Sequence, residues 1–149
     1  MATMSATRAD VAVELREAVQ AFTAAQRRLR GRDAKAGGVS FAQFHLMRLL
    51  AGLDGCPASK LAAEADLTPA SVTQALDHLA ELGLVERVRS EADRRVVLNR
   101  LTPAGRERFE AKQTALEDRW RGALSDLSAD QLGQAAQVLR RMAEVLDAI

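Results

Sequence analysis

Two stretches of this 149-residue chain carry side chains whose types and spacing suit a chemical task. In the first, from Leu67 to Glu81, the apolar spacing predicts a helix with Val72, Ala75, Leu76 and Leu79 facing inward. At about 100° per residue the opposite side then holds Ala70, Ser71, Thr73, Gln74, Asp77 and Glu81. Ser71, Thr73 and Gln74 are short hydrogen-bonding groups in the first two turns, near the positive end of the helix. Such a face can enter a major groove about 12 Å wide, where a glutamine amide pairs with adenine and an alanine methyl meets the methyl of thymine. An amphipathic helix showing its polar side to water would carry the same residues. The second stretch holds the arginines. Between Arg87 and Arg108 there are seven, at 87, 89, 94, 95, 100, 106 and 108, against three acids, Glu91, Asp93 and Glu107. From Phe109 onward the balance reverses to five basic and seven acidic groups. A net charge of +1 hides this concentration, which a local phosphate-facing surface requires. Arginine-rich hairpins also serve as solvated edge protection. The place of this one, directly after the polar-faced helix, favours the phosphate-facing reading.

The other reactive residues point away from catalysis. There is no glycine-rich phosphate loop, and Cys56, His45 and His78 form no nucleophile–base grouping, so an enzyme is not expected. The same three residues are too few for a metal site, and no cofactor is expected. Five aromatics, Phe22, Phe41, Phe44, Phe109 and Trp120, are too sparse to stack unpaired bases, which favours duplex over single strands. Cys56 opens a predicted helix, where the dipole can lower a thiol pKa; an inert thiol is the favoured reading and a redox-responsive one the alternative. A helical dimeric adaptor that binds no DNA is a third reading, and it would lack salt-dependent retention on heparin. With one cysteine there is no intrachain disulfide, and no apolar run approaches the ~18–20 residues of a membrane helix. Acids stand where a signal peptide would be apolar. A cytoplasmic protein of one ordinary domain's length is expected.

Positioning these residues takes six helices and one hairpin. The first helix is predicted from about Thr7 to Arg30, with Val11, Leu15, Ala18, Val19, Phe22, Gln26 and Leu29 in one stripe. The basic, glycine-bearing segment around Arg27–Lys35 reads as a solvated loop. Ser40 starts a second helix with Gln43 as its capping-box partner; its apolar residues nearly encircle it, which predicts burial, and Gly52 and Gly55 end it. Pro57, Pro69 and Pro103 each fit the first turn of a helix. They introduce a short helix, the polar-faced helix capped by Thr68 and closed by Gly83, and a long helix reaching about Ser125. The last helix begins at Ser128 and places Leu132, Ala135, Leu139, Met142, Leu146 and Ile149 as an a/d seam. Leu84–Arg89 and Val96–Leu101 read as strands around a turn at Ser90–Asp93.

The short helix, the link Ala65-Asp66-Leu67-Thr68, the polar-faced helix and the basic hairpin together make a winged helix-turn-helix. The run LTPASVTQALDHLAELGLVERVRSEADRRVVLNRLTPAG resembles the DNA-binding lobe of the MarR family of bacterial transcription regulators. It carries the D-x-R wing pattern with Asp93 and Arg95 and the L-T-x-x-G exit with Leu101, Thr102 and Gly105. With the flanking helices the resemblance covers nearly the whole chain. It implies a mainly α fold with one β-hairpin: a winged helix-turn-helix lobe at 40–102, and dimerisation helices at 7–35 and 103–149 of a single chain spanning 1–149. It implies that Ser71, Thr73 and Gln74 read the major groove and that Arg95 enters the minor groove with Asp93 orienting it. Arg94 is then a phosphate contact and Arg87 a further DNA contact; independently of the resemblance, His78 lies on the flank of the polar-faced helix, within reach of a phosphate. Asn99 stands where an apolar residue is commoner. The function implied is a homodimeric repressor on an inverted-repeat operator. A small aromatic or phenolic ligand near Phe41, His45, Arg48 and Trp120 would release it. Redox-sensing members hold their reactive cysteine in the first helix, where this chain has none.

Overall fold

The computed structural model describes residues 7–35 and 38–148. Helix α1 spans Arg8–Lys35. Its far end corrects the sequence reading, because the basic segment expected as a loop continues the helix. Arg, Leu, Ala and Lys are strong helix formers there, no proline intervenes, and one glycine costs only about 1 kcal/mol. The rest of the expected loop, 36–37, lies outside the described residues, as does Ile149 at the end of the seam.

Helix α2, Phe41–Ala51, opens on the expected capping box: Gln43 N–H donates to Ser40 Oγ at 3.2 Å, and Ser40 N–H donates to Gln43 Oε1 at 2.8 Å. Its buried side is Phe44, Leu46, Met47 and Leu50, but Phe41 and Arg48 are exposed, so it is not buried all round. Helix α3, Ala58–Ala65, starts one residue after Pro57, which takes the N-cap rather than the first helical position. Asp66 ends α3 in the left-handed conformation at φ 52°, a region asparagine and aspartate tolerate better than bulkier residues. Helix α4 runs over Pro69–Glu81, with Thr68 as N-cap, Pro69 in its first turn and Gly83 at φ +70° beyond its end.

Strands β1, Val85–Arg89, and β2, Val97–Leu101, pair antiparallel with Val85 opposite Leu101 and Arg89 opposite Val97. The loop before α3 joins them through one bridge, in which Cys56 and Asn99 exchange both backbone hydrogen bonds at 2.9 Å. Asn99 Nδ2 adds a bond to the Cys56 carbonyl at 3.1 Å, which satisfies the donor end of this buried amide, while its Oδ1 has no partner among the described residues. Helix α5 spans Pro103–Ala123 and α6 spans Ala129–Asp147, the latter opened by the expected Ser128–Gln131 capping box. The architecture among the described residues is therefore six helices and one hairpin, mainly α, as the sequence predicts.

Every buried hydrophobic side chain among the described residues lies between Val39 and Leu101. The entry to α5 is tied to this core through the Phe44 and Phe109 rings, 5.3 Å apart. Thr102 makes the junction: its hydroxyl donates to the Gly83 carbonyl at 2.6 Å and accepts from Gly105 N–H at 3.0 Å. Gly105 lies so close to β1 that an added Cβ would stand 1.9 Å from the Leu84 carbonyl oxygen. That contact is the physical content of the L-T-x-x-G motif. The chain divides into two compact units between Phe109 and Glu110. Among the described residues, none of the second unit is fully buried; Leu139 is 53% exposed and Leu146 70%. No described helix is long and apolar enough to cross a membrane.

Candidate nucleic-acid interface

Helix α4 turns Val72, Ala75, Leu76 and Leu79 into the core, the four residues its spacing predicts. Ala70, Ser71, Thr73, Gln74, Asp77 and Glu81 are exposed in consequence. Two of the three small polar groups fold back on the first turn. Ser71 Oγ lies 2.8 Å from Thr68 Oγ1, and the Thr73 hydroxyl donates to the Pro69 carbonyl at 3.0 Å. Both hydroxyls keep lone pairs with which to accept. The Gln74 amide makes no hydrogen bond among the described residues, so both its donor and acceptor are open. These residues border a broad, open depression of about 840 Å³ whose opposite rim is Ser40, Ala42 and Gln43 of the α2 entry.

The other candidates sit on the hairpin, and its tip is closely braced. Ser90 N–H donates to Val96 O and Val96 N–H to Asp93 O, both at 2.9 Å. Asp93 Oδ1 accepts from Arg95 N–H at 2.9 Å, and Arg89 reaches across to the Arg94 carbonyl, also at 2.9 Å. Asp93 thus holds Arg95 through its backbone, where the resemblance implied only that it orients the arginine. Arg94 and Arg95 are exposed, and neither guanidinium has a partner among the described residues. Arg87 differs from them, because it is ion-paired to Asp77 of α4 at 2.5 Å. Such an exposed pair contributes roughly 0–1 kcal/mol, but it links strand β1 to the polar-faced helix. His78 has a protein partner as well: its Nδ1 lies 2.7 Å from Gln43 Nε2, tethering α4 to α2. Gln43, Arg89 and the Asp77–Arg87 pair were not legible as parts of one surface, since each partner lies on a different element.

A second cleft, of about 570 Å³, lies between α2 and the link 66–68, bordered by Phe41, His45, Arg48, Ala65, Asp66 and Leu67. Three of the four expected ligand-pocket residues meet there, while Trp120 belongs to the other unit on α5. Arg48 donates to His45 Nδ1 at 2.7 Å. Burial, aided by the Arg48 charge, holds the His45 imidazole below its ordinary pKa. Cys56 is 1% exposed, and burial pushes its thiol above the ordinary range, against a smaller downward pull from Lys60.

The winged helix-turn-helix formed by these residues matches known proteins in sequence as well as shape. A model of the MarR family matches residues 39–97, the stretch that contains all of the buried hydrophobic core but Leu101, the polar-faced helix and the wing tip. Over residues 39–97 the chain is a MarR-family winged helix-turn-helix. Two Bacillus subtilis proteins named as HTH-type transcriptional regulators, YdgJ and YhbI, are 34% and 35% identical to it over 105 residues. Each match covers 70% of this chain but 64% and 66% of the relatives, so the chain spans just under two thirds of the curated relatives it matches. Among solved structures, Streptococcus pneumoniae FabT in complex with DNA superposes with a TM-score of 0.73 at 22% identity, covering 91% of this chain and 98% of that one. At that identity the likeness concerns the MarR winged-helix fold. The matched family and relatives are regulators, in line with the expectation that the chain is not an enzyme.

Proposed function

We propose that this MarR-family chain is a homodimeric, sequence-specific regulator of transcription that binds duplex DNA at an inverted repeat. One observation carries the reading: an exposed, small, polar helix face stands in the same fold as a braced hairpin tip bearing two unneutralised arginines. In the proposed complex Ser71, Thr73 and Gln74 meet base edges in the major groove, and Gln74 supplies the one open amide. Arg95 enters the minor groove, where narrow A·T-rich segments attract cations, and Arg94 meets phosphate. Arg87 acts chiefly through Asp77, holding the hairpin to α4. The exposed apolar residues of α1, and separately those of α6, support dimerisation, since apolar helix faces that their own chain leaves uncovered mark interaction surfaces. Two-fold symmetry then sets half-site centres roughly 10 bp apart.

The regulator is proposed to act as a repressor whose affinity a small aromatic or phenolic ligand lowers. The cleft bordered by Phe41, His45 and Arg48 supports a ligand site: it joins an exposed ring to a hydrogen-bonded Arg–His pair. A ligand acts here only by preferring the form that does not bind DNA. A redox switch at Cys56 is disfavoured by its burial and raised pKa. Selection of bound sequences from a random duplex library tests the main reading. The expected result is an inverted repeat bound with a steep salt dependence. Failure to enrich any motif, together with elution from heparin at low salt, would leave the adaptor reading in its place.

A further inference from the structure

Gln43 serves two partners at once, and the chemistry of each fixes the other. The Ser40 backbone N–H can only donate, so the Gln43 oxygen faces it at 2.8 Å. The amide nitrogen therefore faces His78, 2.7 Å from Nδ1. An amide NH₂ can only donate, so Nδ1 is the acceptor and carries no proton. In the neutral ring the proton then sits on Nε2, on the opposite edge of the imidazole. Ser71, Gln74 and His78 recur at i, i+3 and i+7, which makes them one ridge of α4. All three border the depression between α4 and the entry to α2. A flank beside a groove-reading face meets the sugar–phosphate wall, and contacts to that wall set register.

We propose that His78 is a further DNA-contacting residue, donating from Nε2–H to a phosphate oxygen, with Gln43 as the positioning residue that sets its tautomer. This rests on the DNA-binding reading above. While the ring is uncharged, loss of this donor weakens binding without changing the number of counterions released. Arg94 and Arg95 behave oppositely, since each carries a charge into the interface.

Two substitutions separate the roles. His78→Asn keeps an acceptor near the Nδ1 position for Gln43 and loses the outward donor. His78→Gln keeps an N–H reaching as far as Nε2 and loses the tether. Binding is measured on the duplex that the wild-type chain selects from a random library, at several salt concentrations. His78→Asn should bind roughly three- to tenfold more weakly, the effect of a single neutral hydrogen bond, at an unchanged salt slope. His78→Gln should recover part of that loss. A single methylphosphonate at the contacted backbone position should weaken the wild type and leave His78→Asn unmoved. Imidazole ¹⁵N spectra of the free protein at alkaline pH should show the Nε2–H tautomer, and Gln43→Leu should mix the two tautomers. Wild-type binding by His78→Asn, or an Nδ1–H tautomer in the native protein, would overturn the proposal while the DNA-binding reading stands. A wild-type chain that selects no duplex would overturn both.

Discussion

The segment from Val39 to Leu101 and the last helix, α6, treat their apolar residues in opposite ways. In the first, Leu46, Leu50, Leu61 and Leu79 are fully buried by elements of the same chain. In α6, Leu139, Val145 and Leu146 are 53%, 63% and 70% exposed, although the helix is opened by as good a capping box as α2. Local helix signals are therefore equally strong in both, and what differs is whether the chain itself supplies the covering surface. The winged-helix segment is self-sufficient in packing. The seam of α6 needs a second surface, which the proposed function assigns to another copy.

The largest effect expected on the self-sufficient side comes from Gly105→Ala. Its Cβ would collide with the Leu84 backbone, which cannot move without disturbing β1, so unfolding free energy should drop by about 4 kcal/mol or more. Denaturant titration checks it, and a loss below about 1 kcal/mol would mean that α5 shifts freely. Next is a matched pair. Leu50→Ala should cost roughly 2–5 kcal/mol at every protein concentration, because it opens a cavity in a closed core. Leu146→Ala should cost little in dilute solution and act only where the protein associates, seen as a concentration-dependent midpoint or a reduced mass in sedimentation. Equal, concentration-independent losses from both would erase the contrast between the two regions.

Smaller effects sharpen the division of labour within the winged helix. Gln74→Ala should lose ~1–3 kcal/mol of discrimination at one base pair per half-site with little change in salt slope. Arg95→Ala should flatten that slope by roughly one unit per half-site and leave base preference at the half-site centre nearly intact. Isotherms on matched and mismatched duplexes at several salt concentrations distinguish them. If Arg95→Ala binds like the wild type at all salts, the wing assignment is wrong. The least effect concerns His45, whose folded pKa is depressed by burial and by Arg48. The unfolded chain then binds the extra proton, so its contribution to stability is present above the ordinary value of about 6.5 and is lost as pH falls below it through the lower folded value. His45→Gln should remove this part of the pH dependence in thermal melts.

Much of the scaffold was legible because its signals are local. Ser40 with Gln43, Thr68 with Pro69, and Ser128 with Gln131 mark helix starts within four residues, and each stands where it was read. The inward face of α4 followed from spacing alone, and with it the exposure of Ser71, Thr73 and Gln74. Residues 31–35 continue α1 where the sequence suggests a loop, because one glycine costs less than the surrounding run of strong helix formers supplies. Other features were out of reach for a different reason. The pairing of Asp77 with Arg87, the grip of Arg89 on the Arg94 carbonyl, the tether from Gln43 to His78 and the bond from Asn99 to Cys56 each depend on where two side chains or backbones meet. Sequence determined which groups were available: arginines concentrated around the wing, short polar residues on one side of α4, and an apolar seam on α6. Only the tertiary structure decided which of those groups are occupied and which stay open. A charge or amide is consumed or left open by neighbours within a few ångströms, and such neighbours come from distant parts of the chain.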